Sequence, residues 1–153
     1  MTINRLFTAA VLIGVVSGAA LAQSGDPLVG NWKLNVAKSK GAKSGSTTIE
    51  AVGQGVRFTV DLVGTDGAVS HWVFTGNYDG KDVPVSGNSP WGNSAALTRV
   101  DSRTIRIVSK QNGKVMTTST IVVSADGKTR TTTTKGTDLK GQPVDVVSLY
   151  EKQ

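Results

Sequence analysis

From Val56 the chain alternates apolar and polar positions. Val56, Phe58, Val60 and Leu62 are interleaved with Arg57, Thr59 and Asp61. A period of two sends successive side chains to opposite faces of a strand, so the apolar set is assigned to the interior. The next run repeats the pattern: Trp72 and Phe74 alternate with His71, Val73 and Thr75, and the aromatic pair is assigned inward. Strands are expected at about Val29 to Leu34, Thr47 to Val52, Val56 to Leu62, Val69 to Gly76, Ala95 to Val100, Thr104 to Ser109, Lys114 to Val123, Thr129 to Lys135 and Val144 to Tyr150. Two of these leave their faces open. Lys114 to Val123 can bury either Met116 and Val122 or Ile121 and Val123, and Val144 to Tyr150 is apolar on both sides.

The punctuation supports the same fold class. Thr65-Asp66-Gly67, Tyr78-Asp79-Gly80, Gln111-Asn112-Gly113 and Ala125-Asp126-Gly127 each put Asp or Asn before Gly. That pair tolerates positive φ and closes tight hairpins between twisted strands. Three other stretches are read as connections: Asn35 to Ser46, polar and rich in small residues; Asp82 to Asn93, broken by Pro84, Gly87, Pro90 and Gly92; and Gly136 to Pro143. The expected fold is all-β, an antiparallel up-and-down barrel of roughly 8 to 10 strands, a size at which a barrel encloses packed side chains or one small ligand.

The first residues follow another rule. Met1 to Arg5 are short and basic, Leu6 to Val16 are almost wholly apolar, and Ser17 to Ala22 end in the small-residue pattern Ala20-Leu21-Ala22. This is the composition of a signal peptide over residues 1–22, cut before Gln23. Its apolar core is shorter than the roughly 20 residues a membrane-spanning helix needs, and no Cys follows for lipid attachment. Residues 23–153 are then expected to form a single domain, exported to the periplasm or beyond the cell, monomeric and without a stable membrane anchor.

Composition narrows the chemistry. The chain has no Cys, which removes thiol catalysis, disulfides and cysteine metal sites. Its 17 Lys and Arg against 11 Asp and Glu give a net charge of +6, with Lys38, Lys40 and Lys43 in one polar stretch. Such a run suits a solvated loop, and without interleaved aromatics it gives no nucleic-acid surface. His71 is the sole histidine, it lies within a strand on the expected outer face, and no nucleophile elbow accompanies it. Asp66, Asp79, Asp126 and Asp138 fall in turns, where Asp serves the backbone. Asp79 and Asp82 lack the dense oxygen ligation of a calcium loop. The Gly-rich segments do not lead from a strand into a helix, so they are not phosphate cradles. No enzyme, metal or cofactor is expected.

The opening of the first strand, Leu28-Val29-Gly30-Asn31-Trp32-Lys33-Leu34-Asn35, resembles that of the lipocalin and fatty-acid-binding barrels. Those families begin with Gly-x-Trp, matched by Gly30 and Trp32. Together with Val36-Ala37-Lys38-Ser39, Tyr78-Asp79-Gly80-Lys81-Asp82-Val83-Pro84-Val85-Ser86-Gly87, Ser124-Ala125-Asp126-Gly127-Lys128-Thr129 and Tyr150-Glu151-Lys152-Gln153, the chain resembles an exported, lipocalin-like bacterial group. The resemblance implies a calycin-like barrel with Trp32 on its floor. It also implies an Arg from a late strand packed on that Trp, for which Arg130 is the candidate.

On this reading Phe58, Val60, Leu62, Trp72 and Phe74 line a lumen that takes a small apolar or amphipathic ligand. Arg106 and Arg130 would meet its head group if their faces turn inward. The alternative is a non-enzymatic protein-binding or inhibitor module whose contact surface is Asn35 to Ser46 and Asp82 to Asn93, with Trp91 as its anchor. A continuous apolar lumen favours the first, and a filled interior with Trp91 exposed favours the second.

Overall fold

The computed structural model describes residues 25–153, and the proposed leader over residues 1–22 lies outside them. Eleven antiparallel strands form one sheet: β1 (Gly30–Leu34), β2 (Ala42–Val52), β3 (Gly55–Gly64), β4 (Val69–Asn77), β5 (Asp79–Pro84), β6 (Ser86–Gly87), β7 (Ser94–Arg99), β8 (Thr104–Gln111), β9 (Lys114–Val123), β10 (Thr129–Thr137) and β11 (Pro143–Lys152). A single 3-10 turn, Val36–Lys38, links β1 to β2. The order around the sheet is β5-β7-β8-β9-β10-β11-β1-β2-β3-β4-β6, so β1 closes the circle between β2 and β11. The result is a nearly closed up-and-down barrel. At the remaining seam, β4 and β5 lie side by side without a hydrogen-bonded ladder, and the chain crosses from β7 to β4 as it passes from β5 into β6.

The alternating patterns land as their period requires. Phe58 and Phe74 face each other across β3 and β4, as do Val60 and Trp72. All four are buried, and the two Phe rings stack with centroids 4.9 Å apart. In β9 the interior takes Ile121 and Val123, while Val122 is exposed. At the Asn112-Gly113 turn both residues have positive φ, 50° and 81°, the conformation for which that dipeptide is suited.

The three stretches read as connections are each partly strand, the third only at its ends, where Gly136 and Thr137 belong to β10 and Pro143 to β11. β2 begins at Ala42, well inside the Asn35 to Ser46 segment, because the small residues Ser44, Gly45 and Ser46 still pair with Val63, Leu62 and Asp61 of β3 past a register shift at Ala42/Ser44. Within Asp82 to Asn93, the stretch Asp82 to Pro84 belongs to β5 and pairs with β7. Pro84 is tolerated because it sits at the end of an edge strand, where a missing donor breaks no interior ladder.

The ends of the barrel differ. At one, Leu28 is fully buried and its carbonyl accepts a 2.8 Å hydrogen bond from the Trp32 indole, so this pair forms a floor. The Asp26 carboxylate pins the same end: it accepts hydrogen bonds from the Tyr78 hydroxyl, the Arg99 guanidinium and the Leu28 amide. Arg99 in turn lies 3.9 Å from the Tyr78 ring centroid. At the other end the loops stand over an opening.

Candidate ligand cavity

The interior is not filled. It holds a cavity of about 770 Å³, within the range of pockets that take small molecules. Phe58, Val60, Leu62, Trp72 and Phe74 all line it, so the structure brings the five sequence-nominated residues together on one wall. That wall belongs to β3 and β4; Ile107 of β8 and Ile121 of β9 line the cavity from other strands, Ile121 in register beside Thr132 of β10.

The facing wall has a different chemistry. Thr132 and Thr134 of β10, Ser148 and Tyr150 of β11, Ser119 of β9 and Thr47 of β2 also line the cavity. Those of β9, β10 and β11 present hydroxyl groups to the space that the aromatic residues enclose from the other side, while Thr47 stands in register beside Val60 at the edge of the apolar wall. The Ser119 and Thr134 hydroxyls share a 2.8 Å hydrogen bond across β9 and β10. Sequence reasoning missed this wall because β10 carries Thr on both faces, leaving no polar contrast by which to choose the inner set.

Arg130 stands at the floor end of the polar wall. It is 3% exposed, lines the cavity, and its guanidinium carbon lies 4.0 Å from the Tyr150 ring centroid and 5.5 Å from that of Trp32. The resemblance implied the contact with Trp32, and the structure makes it. Lys152 Nζ lies 5.0 Å from the same indole. Only one hydrogen bond reaches the guanidinium, from Nη1 to the Thr132 hydroxyl at 3.1 Å, and Nε is buried without a partner. Among the described residues no carboxylate pairs with it. Burial lowers its pKa to about 10, which leaves it charged at neutral pH. Burial likewise raises the Tyr150 pKa, so that phenol is neutral.

The opposite end is a mouth. Asp66, Asn88, Pro90, Trp91, Leu139 and Lys140 line the cavity there. The Leu139 amide donates to the Pro90 carbonyl at 3.2 Å, and Lys140 faces Asp66 at 3.8 Å, so three loops meet over the opening. Trp91 is half-buried against the core rather than projecting from the surface. Its loop is fixed by the Asn93 amide, which donates to Lys110 O, and by the Asn93–Asn112 side-chain pair. Arg106 is exposed on β8 and is not part of the cavity. His71 Nδ1 lies 2.7 Å from the Asp61 carboxylate on the outer surface, where both side chains are more than half exposed.

No protein-family model and no curated protein sequence matches the chain. The nearly closed antiparallel barrel is compatible with a calycin-like fold, and fold by itself assigns no activity.

Proposed function

We propose that the chain is an exported, lipocalin-like, non-enzymatic protein that binds a small amphipathic molecule inside its barrel. The observation that carries this is the cavity of about 770 Å³, bounded by an aromatic wall and a hydroxyl-bearing wall. A folded core normally excludes such space, because unfilled volume forfeits dispersion contacts and destabilises the fold. An interior that keeps it open behind a loop-lined mouth suits a carrier or scavenger. On this reading the leader delivers a monomer to the periplasm or the exterior, and the anchor role of Trp91 in a surface-binding module is set aside, since that ring helps enclose the lumen.

Native mass spectrometry of protein purified from its own host tests the reading. The expected spectrum contains a bound small molecule that is lost when Leu62→Trp fills the lumen. Only the bare chain mass, under conditions that preserve known lipid complexes, would overturn the carrier reading.

A further inference from the structure

The two walls of the lumen differ along its length rather than only at its ends. Thr132 and Thr134 follow Arg130 at intervals of two along β10, and all three line the cavity. In the adjoining strands Ser148 pairs in register with Thr132, and Ser119 with Thr134. Hydroxyl groups therefore form a narrow band from the buried cation toward the mouth, flanked by Ile121 and Val146, the other in-register neighbours of Thr132 and Thr134. Across the lumen, Phe58 and Phe74 are stacked nearly parallel, at 8°, and Val60 and Trp72 lie one pair further along the same strands. Thr132 accepts from Arg130 and Ser119 shares one bond with Thr134, so each of these hydroxyls keeps further hydrogen-bonding capacity that a linear hydrocarbon chain lying along the band would leave unmet.

The unpaired cation adds a second constraint. A buried charge ordinarily has a counter-charge or a full set of hydrogen bonds, and Arg130 has one hydrogen bond and an unpartnered Nε. The aromatic faces of Tyr150 and Trp32 offset part of its desolvation. They do not neutralise it. Arg130 is also the charged side chain of the lumen proper, since Lys40, Asp66, Asp138 and Lys140 stand in the loops or strand ends at the mouth.

We propose that the occupant is a rigid, facially amphipathic anion: one edge or face carries hydroxyl groups and meets the Thr132/Thr134 band, the other is hydrocarbon and meets Phe58, Trp72 and Phe74, and its acidic end meets Arg130. This inference rests on the lumen-binding reading above and specifies its ligand class. The class is a polycyclic or otherwise stiff hydroxylated acid, as opposed to a flexible acyl chain.

Two probes separate the alternatives: deoxycholate, a stiff hydroxylated acid, and dodecanoate, a flexible one, each titrated below its micellar concentration by calorimetry into the purified protein. Deoxycholate is expected to bind about tenfold or more tightly than dodecanoate. In Thr132→Val/Thr134→Val, where shape is nearly kept and the hydroxyls are removed, the ratio should fall to about unity or invert, because the band no longer asks for polar partners. Arg130→Gln should weaken both acids by about tenfold or more, without restoring dodecanoate relative to deoxycholate. Thermal melts of each variant establish that it is folded. Equal binding of the two probes by the unaltered protein, or a ratio unmoved in the Thr-to-Val variant, overturns the facial assignment while leaving the carrier reading in place. Undiminished binding in Arg130→Gln overturns the assignment of the acidic end. Failure of both probes to bind removes the carrier reading for this class and the inference with it.

Discussion

Arg130 lies between Tyr150 and Trp32, its guanidinium carbon 4.0 Å from one ring centroid and 5.5 Å from the other, and no carboxylate among the described residues pairs with it. The rings offset only part of the cost of burying a cation that has no counter-charge. Replacing a buried charge by an apolar side chain of similar length is often neutral or stabilising. Arg130→Met is therefore expected to unfold within about 1 kcal/mol of the unaltered protein, or above it, since a cation–π contact offsets about 0.5 to 2 kcal/mol of the burial cost. Trp32→Ala, which empties the floor, should lose about 3 to 5 kcal/mol. Urea denaturation followed by circular dichroism compares the two; a loss in Arg130→Met as large as that in Trp32→Ala would show the arginine to be a structural keystone instead.

Gly30 is required by its backbone, and its missing Cβ also leaves room for a neighbouring side chain. Its φ is +143°, and a Cβ there would stand 2.6 Å from Lys152 Cε. The lysine stem crosses Gly30 on its way to the Trp32 ring and to Pro27 O, 3.3 Å from Nζ. Gly30→Ala is expected to cost about 1 to 3 kcal/mol, the range for a residue held in a sparsely populated backbone region. Adding Lys152→Ala should recover the steric part and leave the backbone part, so the double variant melts between Gly30→Ala and the unaltered protein. A double variant no more stable than the single would remove the contact from this account.

Asp26 is the common acceptor of Tyr78, Arg99 and Leu28 at the floor. Its own side chain and that of Arg99 are each less than a third exposed, so solvent screens the pair only in part. Asp26→Ala should destabilise by about 2 to 3 kcal/mol, the scale of a charge-assisted hydrogen bond lost from a partly buried group. Chemical denaturation of the variant measures it, and a change below about 0.5 kcal/mol, the scatter of ordinary surface substitutions, would mean that the floor is held by Leu28 and Trp32 alone.

Burial first, and the Asp26 hydrogen bond second, raise the Tyr78 pKa above its ordinary value near 10. The folded chain then keeps the phenolic proton at pH values where the unfolded chain has released it. The associated stability is complete below pH 10 and is lost as pH rises from there toward the raised value. Tyr150 contributes with the same sign. Arg130, whose pKa burial lowers to about 10, contributes with the opposite one, because above that value the folded chain has shed a proton that the unfolded chain still binds. Tyr78→Phe isolates one contribution: its melting temperature should fall less steeply between pH 10 and 11.5 than that of the unaltered protein. Parallel curves in that window would exclude the hydroxyl as the titrating group.

Period-two runs with a polar contrast were legible from the sequence. Val56 to Leu62 and Trp72 with Phe74 told their inner faces, and those residues form the apolar wall. The strand ends at Ala42 and Asp79 were not legible, because small and polar residues pair in a ladder through their backbones and leave no side-chain signature. The hydroxyl wall was hidden for a related reason: in Thr129 to Thr134 the inner Thr132 and Thr134 and the outer Thr131 and Thr133 are the same residue type. The faces are told apart by the register with β9 and β11, which sets Ser119, Ile121, Val146 and Ser148 beside the inner pair. Arg130 was nominated through the resemblance and its inward orientation comes from the fold. Arg106, nominated beside it, sits on the outer face.

The seam between β4 and β5 bears on how the lumen accommodates what enters it. Everywhere else the wall is cross-linked by peptide hydrogen bonds, but along this line no ladder runs and the Leu97 and Val83 side chains close over Gly76, within 3.0 Å and 3.3 Å of where a Cβ there would stand. Sliding such contacts apart by a fraction of an ångström forfeits dispersion energy gradually, whereas a ladder breaks bond by bond. Widening the bore along this seam would therefore break no inter-strand ladder.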